Sequence, residues 1–307
     1  MNVFLYPGQG SQYLGMGLDF YDSFREVREM FEQASDIAGC DVHRLLKDGP
    51  LETISRTDMS QILITLVNLS AAYTLRERDI PLTSGTVAGF SLGEYAALAD
   101  AEVLSIGDVL EIVHARGKVM EEHSRTWDED NQPSGMLAVL GLTSEEIIEA
   151  VKNVDRAYIA IHNSPQQTVL SGTYMGLVKA KEALSHARRC VPLAVSGPFH
   201  SPLMEEARIK FAEVLSGYTF NPPQKIVYSN VTGAPESSPE TLRSLCALQL
   251  VSPVQWVDTM QSISIINNLS LYEVGPGRVL QGLWKNFMKT QSTNTPPEVI
   301  LTGVLDS

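Results

Sequence analysis

A serine flanked by glycines in Gly89-Phe90-Ser91-Leu92-Gly93 fits G-x-S-x-G, and its surroundings are those the chemistry needs. Thr86-Val87-Ala88 reads as a short strand entering the motif, and residues 92–98 have the composition of a helix leaving it. Ser91 is then expected on a tight strand-to-helix turn, its hydroxyl exposed for nucleophilic attack. The glycines allow the strained backbone and leave room for a substrate. The N–H of Leu92 and the positive helix end would face an oxyanion formed at the serine. The pattern alone is common, and a structural turn carrying an idle serine is the competing reading.

A serine hydroxyl needs a base. Of the six histidines, His43, His114, His123 and His186 lie in polar or helical surroundings and read as solvated or surface-packed. His200 follows Ser196-Gly197-Pro198-Phe199 on a strand-to-loop transition, from which an imidazole can project into a cleft. No histidine follows His200, whereas ordinary hydrolases with this serine motif place the triad histidine last. That order weakens a plain esterase reading. Arg116 falls on the apolar stripe Val109, Ile112, Val113, Met120 of an expected helix over 106–122. An arginine there needs either an internal carboxylate or a substrate carboxylate gripped bidentately. Near the N-terminus, Pro7-Gly8-Gln9-Gly10-Ser11-Gln12 invites a nucleotide reading, but no x-x-Gly or Gly-Lys-Ser/Thr follows. The turn can instead push the Gln9 amide into a pocket.

The elements that must position these residues alternate. Residues 3–6 read as a buried first strand, and helical patterns follow over 18–38, 42–56 and 60–78. Residues 124–134 are polar and acidic, a loop or boundary. Beyond them, strands at 135–141, 157–162, 168–171 and 191–195 alternate with helices at 144–154 and 175–187 in β-α-β-β-α-β order, the ferredoxin-like pattern. Buried strands are expected again at 226–229 and 271–274. The reading is an α/β class chain: a hydrolase-like core with a parallel sheet (1–127 and 197–307), interrupted by a small ferredoxin-like α+β subdomain (128–196).

Composition narrows the function. With 44% hydrophobic and 19% charged residues, the chain is expected to be globular and ordered. A formal net charge of -13 argues against nucleic acid as the main partner. Three cysteines, Cys40, Cys190 and Cys246, are odd in number and far apart, which suits a reducing compartment and neither a disulfide framework nor a metal knuckle. Residues 1–6 are too short and uncharged for a signal peptide, and no apolar run reaches membrane-spanning length. The expected address is the cytoplasm, with no membrane, metal or redox cofactor involved.

Taken together, Pro7–Gln12, Gly89-Phe90-Ser91-Leu92-Gly93-Glu94-Tyr95, Arg116-Gly117-Lys118-Val119-Met120 and Val195–Met204 resemble the malonyl-CoA:acyl carrier protein transacylase family. The likeness continues through Asn230-Val231-Thr232-Gly233, Pro253-Val254-Gln255-Trp256 and Glu273-Val274-Gly275-Pro276-Gly277, in the family's order and over nearly the whole chain. The resemblance implies Ser91 as nucleophile and His200 as its base, oriented by the backbone carbonyl of Gln255. It implies an oxyanion hole from Leu92 and the Gln9 region, and Arg116 as the grip on a malonyl carboxylate. Asn163 would line the cleft, and Phe199 would crowd the space a methyl branch needs. Phe90 departs from the histidine usual there, and the expected effect is on packing more than on chemistry.

The partners implied are malonyl-CoA and an acyl carrier protein, and the chain is expected to act as a monomer. Arg188, Arg189, Arg278, Lys285 and Lys289 are candidates for a basic rim, against scattered solvated charges as the alternative. Three rivals remain: a transferase serving polyketide rather than fatty-acid synthesis, an acyl hydrolase, and an idle docking domain.

Overall fold

A computed structural model describes residues 1–78, 85–129, 132–291 and 297–304. Among these, six strands form one sheet in the order β10-β9-β1-β2-β7-β8: β1 (Asn2–Tyr6), β2 (Thr86–Gly89), β7 (Ile226–Tyr228), β8 (Pro235–Glu236), β9 (Ser270–Glu273) and β10 (Val299–Leu301). All neighbours are parallel except β7 and β8. β1 lies inside the sheet between β9 and β2, and its Val3, Phe4, Leu5 and Tyr6 are at most 1% exposed. Such a strand is apolar without alternation because helices cover both faces of a parallel sheet. The helix Thr57–Glu77 is one of these covers, buried along almost its whole length and packed on Ile106–Ser124.

Parallel strands all end on the same side, and ligands gather outside their carboxyl ends. Gln9, Ser91 and Asn230 each follow such an end, after β1, β2 and β7 respectively. The sheet thereby brings together residues far apart in the chain.

The second sheet has the order β4-β5-β3-β6, built from β3 (Gly135–Leu140), β4 (Ala157–Ser164), β5 (Gln167–Gly172) and β6 (Arg189–Pro192), every pair antiparallel. Helices Ser144–Val151 and Tyr174–Ala183 supply the two crossovers. Strand alternation splits its residues: Leu137, Val139 and Leu170 join Ile147, Val151 and Ala180 in a separate small core. Met136, Ala138 and Val169 face the other way and belong to the main core. The two units are stitched where β4 bulges: Val254 N donates to Ala160 O at 2.9 Å, and His162 N donates to Val254 O at 3.0 Å.

Several expected elements shift. The helix expected over 18–38 breaks into Leu18–Ser23 and Arg25–Ala38 because Phe24 is extended (φ -124°, ψ 131°). The helix over 42–56 breaks at Gly49-Pro50, since proline lacks the N–H a continuing helix needs. The last strand of the small unit ends at Pro192 instead of Val195, freeing Leu193 and Val195 to line a cleft. In the polar stretch 124–134, Arg125–Trp127 forms a short 3-10 turn, and residues 130–131 lie outside the described residues.

Candidate active site

The serine turn is held open by its glycines. A Cβ on Gly89 would collide with the backbone of Gly93 and Glu94, and one on Gly93 with the Tyr6 carbonyl. Ser91 itself has φ 51°, a left-handed conformation that costs a non-glycine residue about 1–3 kcal/mol unless its surroundings enforce it. Asn230 is the enforcer: Ser91 N donates to its Oδ1 at 2.6 Å, and its Nδ2 donates to Gly89 O at 2.6 Å. With the Ser91 N–H so engaged, the first-turn amide of Leu92 has no intrahelical acceptor and is the donor nearest the hydroxyl in the chain. The Gly8–Gln9 turn lies against it, for a Cβ on Gly8 would stand 3.4 Å from Leu92 N and run into Phe90 O.

Ser91 Oγ and His200 Nε2 are 2.7 Å apart. On the other side of the ring, His200 Nδ1 is 2.8 Å from the backbone O of Gln249. A carbonyl only accepts, so the ring proton sits on Nδ1 and Nε2 is left to accept from the serine hydroxyl. Burial, then the positive charge of Arg116, push the His200 pKa down to about 4, against smaller upward contributions from the Gln249 and Ser252 carbonyls. The imidazole is therefore neutral at pH 7, as a base must be.

The carbonyl expected from Gln255 is corrected to that of Gln249. Gln255 precedes the helix Trp256–Ser264, and its O accepts from Thr259 N at 3.2 Å and Thr259 Oγ1 at 3.1 Å. Its own helix consumes the acceptor. Gln255 N instead donates to Asn230 O at 2.8 Å, supporting the residue that clamps the serine turn.

Arg116 is 1% exposed and faces the same cavity. Its Nη1 donates to Gln61 Oε1 and its Nη2 to Gln249 Oε1, both at 2.8 Å, and the guanidinium lies 5.4 Å above the Tyr95 ring. Among the described residues Nε has no hydrogen-bond partner and Arg116 makes no salt bridge. The closed ion pair weighed as an alternative is absent from these residues. A buried cation held by neutral oxygens is costly until an anion joins it.

The cavity, about 210 Å³, is lined by Gln9, Phe90, Ser91, Leu92, Arg116, Asn163, Phe199 and His200. Every other residue expected at the site lines this cavity; Gln255, expected there only for its backbone carbonyl, does not. Gln9 Nε2 reaches Thr57 Oγ1 at 3.5 Å. Asn163 is 8% exposed and its Oδ1 has no partner among the described residues, Phe199 is 3% exposed, and Phe90 stands edge-on to Trp256 at 5.2 Å between ring centres. Met136, Ile161, Val169, Leu193 and Val195 close the opposite wall with apolar surface. Of the basic candidates, Arg188 and Lys289 meet in a polar recess that shares Gln167 with the cavity; Arg189, Arg278 and Lys285 do not line it. His114 and His123, expected near the surface, are buried at 8% and 5% exposure.

Gln249 and Asn230 bond directly to His200 and to the serine turn, and Glu94 bonds to both of them; motif reading left all three without a role. For Gln249 a signal existed. Leu242, Leu245 and Cys246 form a buried helical stripe, and Gln249 continues it at the next helical interval.

A model of the acyl transferase domain matches residues 3–302. A malonyl CoA-acyl carrier protein transacylase from Haemophilus influenzae is 36% identical over 294 residues, 92% of this chain and 91% of that protein. The polyketide biosynthesis malonyl CoA-acyl carrier protein transacylase PksC of Bacillus subtilis is 35% identical over 288 residues, 92% of this chain and 96% of that one. A solved malonyl-transacylase in complex with a type II PKS acyl-carrier protein matches with a TM-score of 0.88 at 34% identity, covering 99% of this chain and 96% of its own. With a serine–histidine pair, a buried arginine held by two amide oxygens and likeness in sequence and fold over more than nine-tenths of the chain, the chain belongs to the malonyl CoA-acyl carrier protein transacylase family.

Proposed function

We propose that this protein transfers a malonyl group from malonyl-CoA to the phosphopantetheine thiol of an acyl carrier protein, through an ester on Ser91. The observation that carries the reading is the buried Arg116, which has no carboxylate partner among the described residues, in the same cavity as the Ser91–His200 pair. A hydrolase of uncharged acyl groups has no use for that cation.

His200 Nε2 takes the Ser91 proton as Oγ attacks the thioester carbonyl, and negative charge moves to the carbonyl oxygen. Leu92 N–H and the Gln9 turn meet that charge, each such donor contributing about 3 kcal/mol in comparable sites. As the tetrahedral centre collapses, the C–S bond breaks and coenzyme A leaves as a thiol with the proton from His200. The carrier's thiol then attacks the malonyl ester, giving its proton to His200, which returns it to Ser91. Arg116 holds the free carboxylate through both halves. Phe199 limits the space beside the α-carbon, and Asn163 borders the acyl group. Arg188 and Lys289, in the recess beside the cleft, offer positive potential to the phosphate of the pantetheine arm. Relatives named for polyketide biosynthesis and relatives without that designation match about equally well, so the carrier served is either a fatty-acid or a polyketide one.

The test is intact-protein mass spectrometry after mixing with malonyl-CoA. The wild type should gain one malonyl group, Ser91→Ala none, and adding a phosphopantetheinylated carrier protein should discharge the adduct onto the carrier. Discharge to water at the same rate without carrier would sink the transferase reading.

A further inference from the structure

Beneath the serine turn lies a carboxylate that none of these steps uses. Glu94 sits in the first turn of the helix Gly93–Asp100 and is 1% exposed. Its Oε2 accepts from Gln249 Nε2 at 2.6 Å and from Asn230 N at 3.2 Å. Among the described residues it makes no salt bridge; the nearest cation, Arg116, is reached only through the Gln249 amide.

That amide has no freedom in which way round it sits. An arginine only donates and a carboxylate oxygen bonded in this way only accepts. Gln249 must therefore turn Oε1 to Arg116 and Nε2 to Glu94. The same Nε2 also donates to Ser91 O at 3.2 Å, while the Gln249 backbone O holds His200 Nδ1 at 2.8 Å. One residue thus touches the nucleophile, the base and the carboxylate grip, and Arg116 and Glu94 hold its amide from opposite ends.

We propose that Glu94 is a positioning residue of the transfer reaction: by fixing the Gln249 amide it sets the geometry of Arg116 and His200 together, and so couples recognition of the acyl carboxylate to activation of Ser91. This rests on the transferase reading above. Burial raises the Glu94 pKa to about 7, so both charge states are accessible near neutrality, and either can keep an oxygen lone pair on Gln249 Nε2. What matters is an acceptor at that reach, more than a full charge.

Two conservative variants separate reach from charge. Glu94→Gln keeps the length and an acceptor oxygen without charge. Glu94→Asp keeps the charge but withdraws it by one carbon–carbon bond, about 1.5 Å. Single-turnover acylation of each by malonyl-CoA and by acetyl-CoA is measured beside the thermal transition. Glu94→Gln should stay within about fivefold of wild type and keep the malonyl preference. Glu94→Asp should acylate roughly 10²-fold more slowly with malonyl-CoA, the size of effect a 1 Å misplacement produces. Its malonyl-to-acetyl ratio should also fall, because Arg116 is disordered as well as His200; general loosening would slow both acyl groups alike. An unchanged ratio in Glu94→Asp, or a Glu94→Gln as slow as Glu94→Asp, overturns the proposal. Trapping of Ser91 by a small organophosphorus reagent, which needs His200 but no carboxylate grip, keeps the two readings apart. If malonyl-CoA labels no wild-type protein, the transferase reading fails. If Glu94→Asp is trapped as fast as wild type, the Glu94 proposal fails by itself.

Discussion

The two walls of the cleft are built on opposite principles. The wall carried by the six-stranded sheet is polar and, apart from the half-buried Ser91, buried: Ser91, His200, Gln249, Arg116, Glu94 and Asn230 are tied by hydrogen bonds of 2.6–3.2 Å. The wall from the four-stranded sheet is Met136, Ile161, Val169, Leu193 and Val195, with Asn163 and Gln167 at its polar points. Polar groups out of water are costly unless satisfied, so the first wall tolerates little change. The second gains its stability from apolar area, roughly 25 cal/mol per Å² buried, and any side chain of similar volume can supply it. The serine–histidine pair and the cation sit on the wall where each bond has one solution, facing a wall that many apolar side chains could fill.

The largest way to break that contrast is Arg116→Ala. If the cation is there for the substrate, kcat/KM for malonyl-CoA should drop roughly 10²–10³-fold, the worth of one or two charge-assisted bonds of about 1.5–3 kcal/mol each. Acetyl-CoA should lose far less, so the preference narrows or inverts. Equal losses for both acyl donors would mean that Arg116 is internal scaffolding and that the polar wall serves the fold before the reaction. Some loss of thermal stability is expected either way, since Gln61 and Gln249 each lose a donor.

A smaller effect concerns pH. The folded His200 pKa is depressed from 6.5 to about 4, so the neutral base is fully available at pH 7. The stability tied to keeping it neutral, about 3 kcal/mol, is present above pH 6.5 and is lost as pH falls toward 4. Inactivation of Ser91 by an organophosphorus reagent should be flat through neutrality, with its acid limb well below 6.5. In Arg116→Gln, which removes the second cause but not the burial, the limb should move up. A wild-type limb at 6.5 would show an imidazole exposed to water, contradicting the dry polar wall.

Legibility followed the same divide. Ser91 could be read because a strand-to-helix turn between glycines is a local pattern, and Arg116 because a charge on an apolar helical stripe stands out. The place of His200 after the Ser196–Phe199 loop makes it a candidate, and only the resemblance gives it the role of base. The acceptor behind His200 was misassigned because a backbone carbonyl has no side-chain signature. The Pro253–Trp256 block drew attention to Gln255, whose carbonyl closes its own helix. Glu94 lies hidden in an alanine-rich helix, and its hydrogen-bond partners Asn230 and Gln249 are 136 and 155 positions away in the chain. The small sheet is legible from its β-α-β-β-α-β order and the four inner strands of the large one from their apolar runs, but its short edge strands Pro235–Glu236 and Val299–Leu301 are not. The break at Phe24 was not, because no proline or glycine marks it and tertiary packing of two short helices decides it.

Phe90 is the place where the two principles meet: an apolar side chain next to the nucleophile, on the polar wall, where the resembling family usually carries histidine. Its ring is edge-on to Trp256 at 5.2 Å and 85°, a pairing worth about 0.5–1.5 kcal/mol beyond area burial. Neither the His200 ring nitrogens nor Ser91 Oγ needs anything from position 90, because Nδ1 is held by Gln249 and Nε2 by the serine. Phe90→His should therefore leave malonyl transfer within about fivefold of wild type and lower the thermal transition slightly, by up to the ~1 kcal/mol of the lost ring pair. The pH profile is the sharper readout. An imidazole that only lines the wall adds no ionisation to the rate, whereas a new limb near 6.5 would mean that the substituted ring has joined the proton transfer. In that case the boundary between chemistry and lining would run through residue 90 and not, as the distances indicate, between Ser91 and its apolar neighbour.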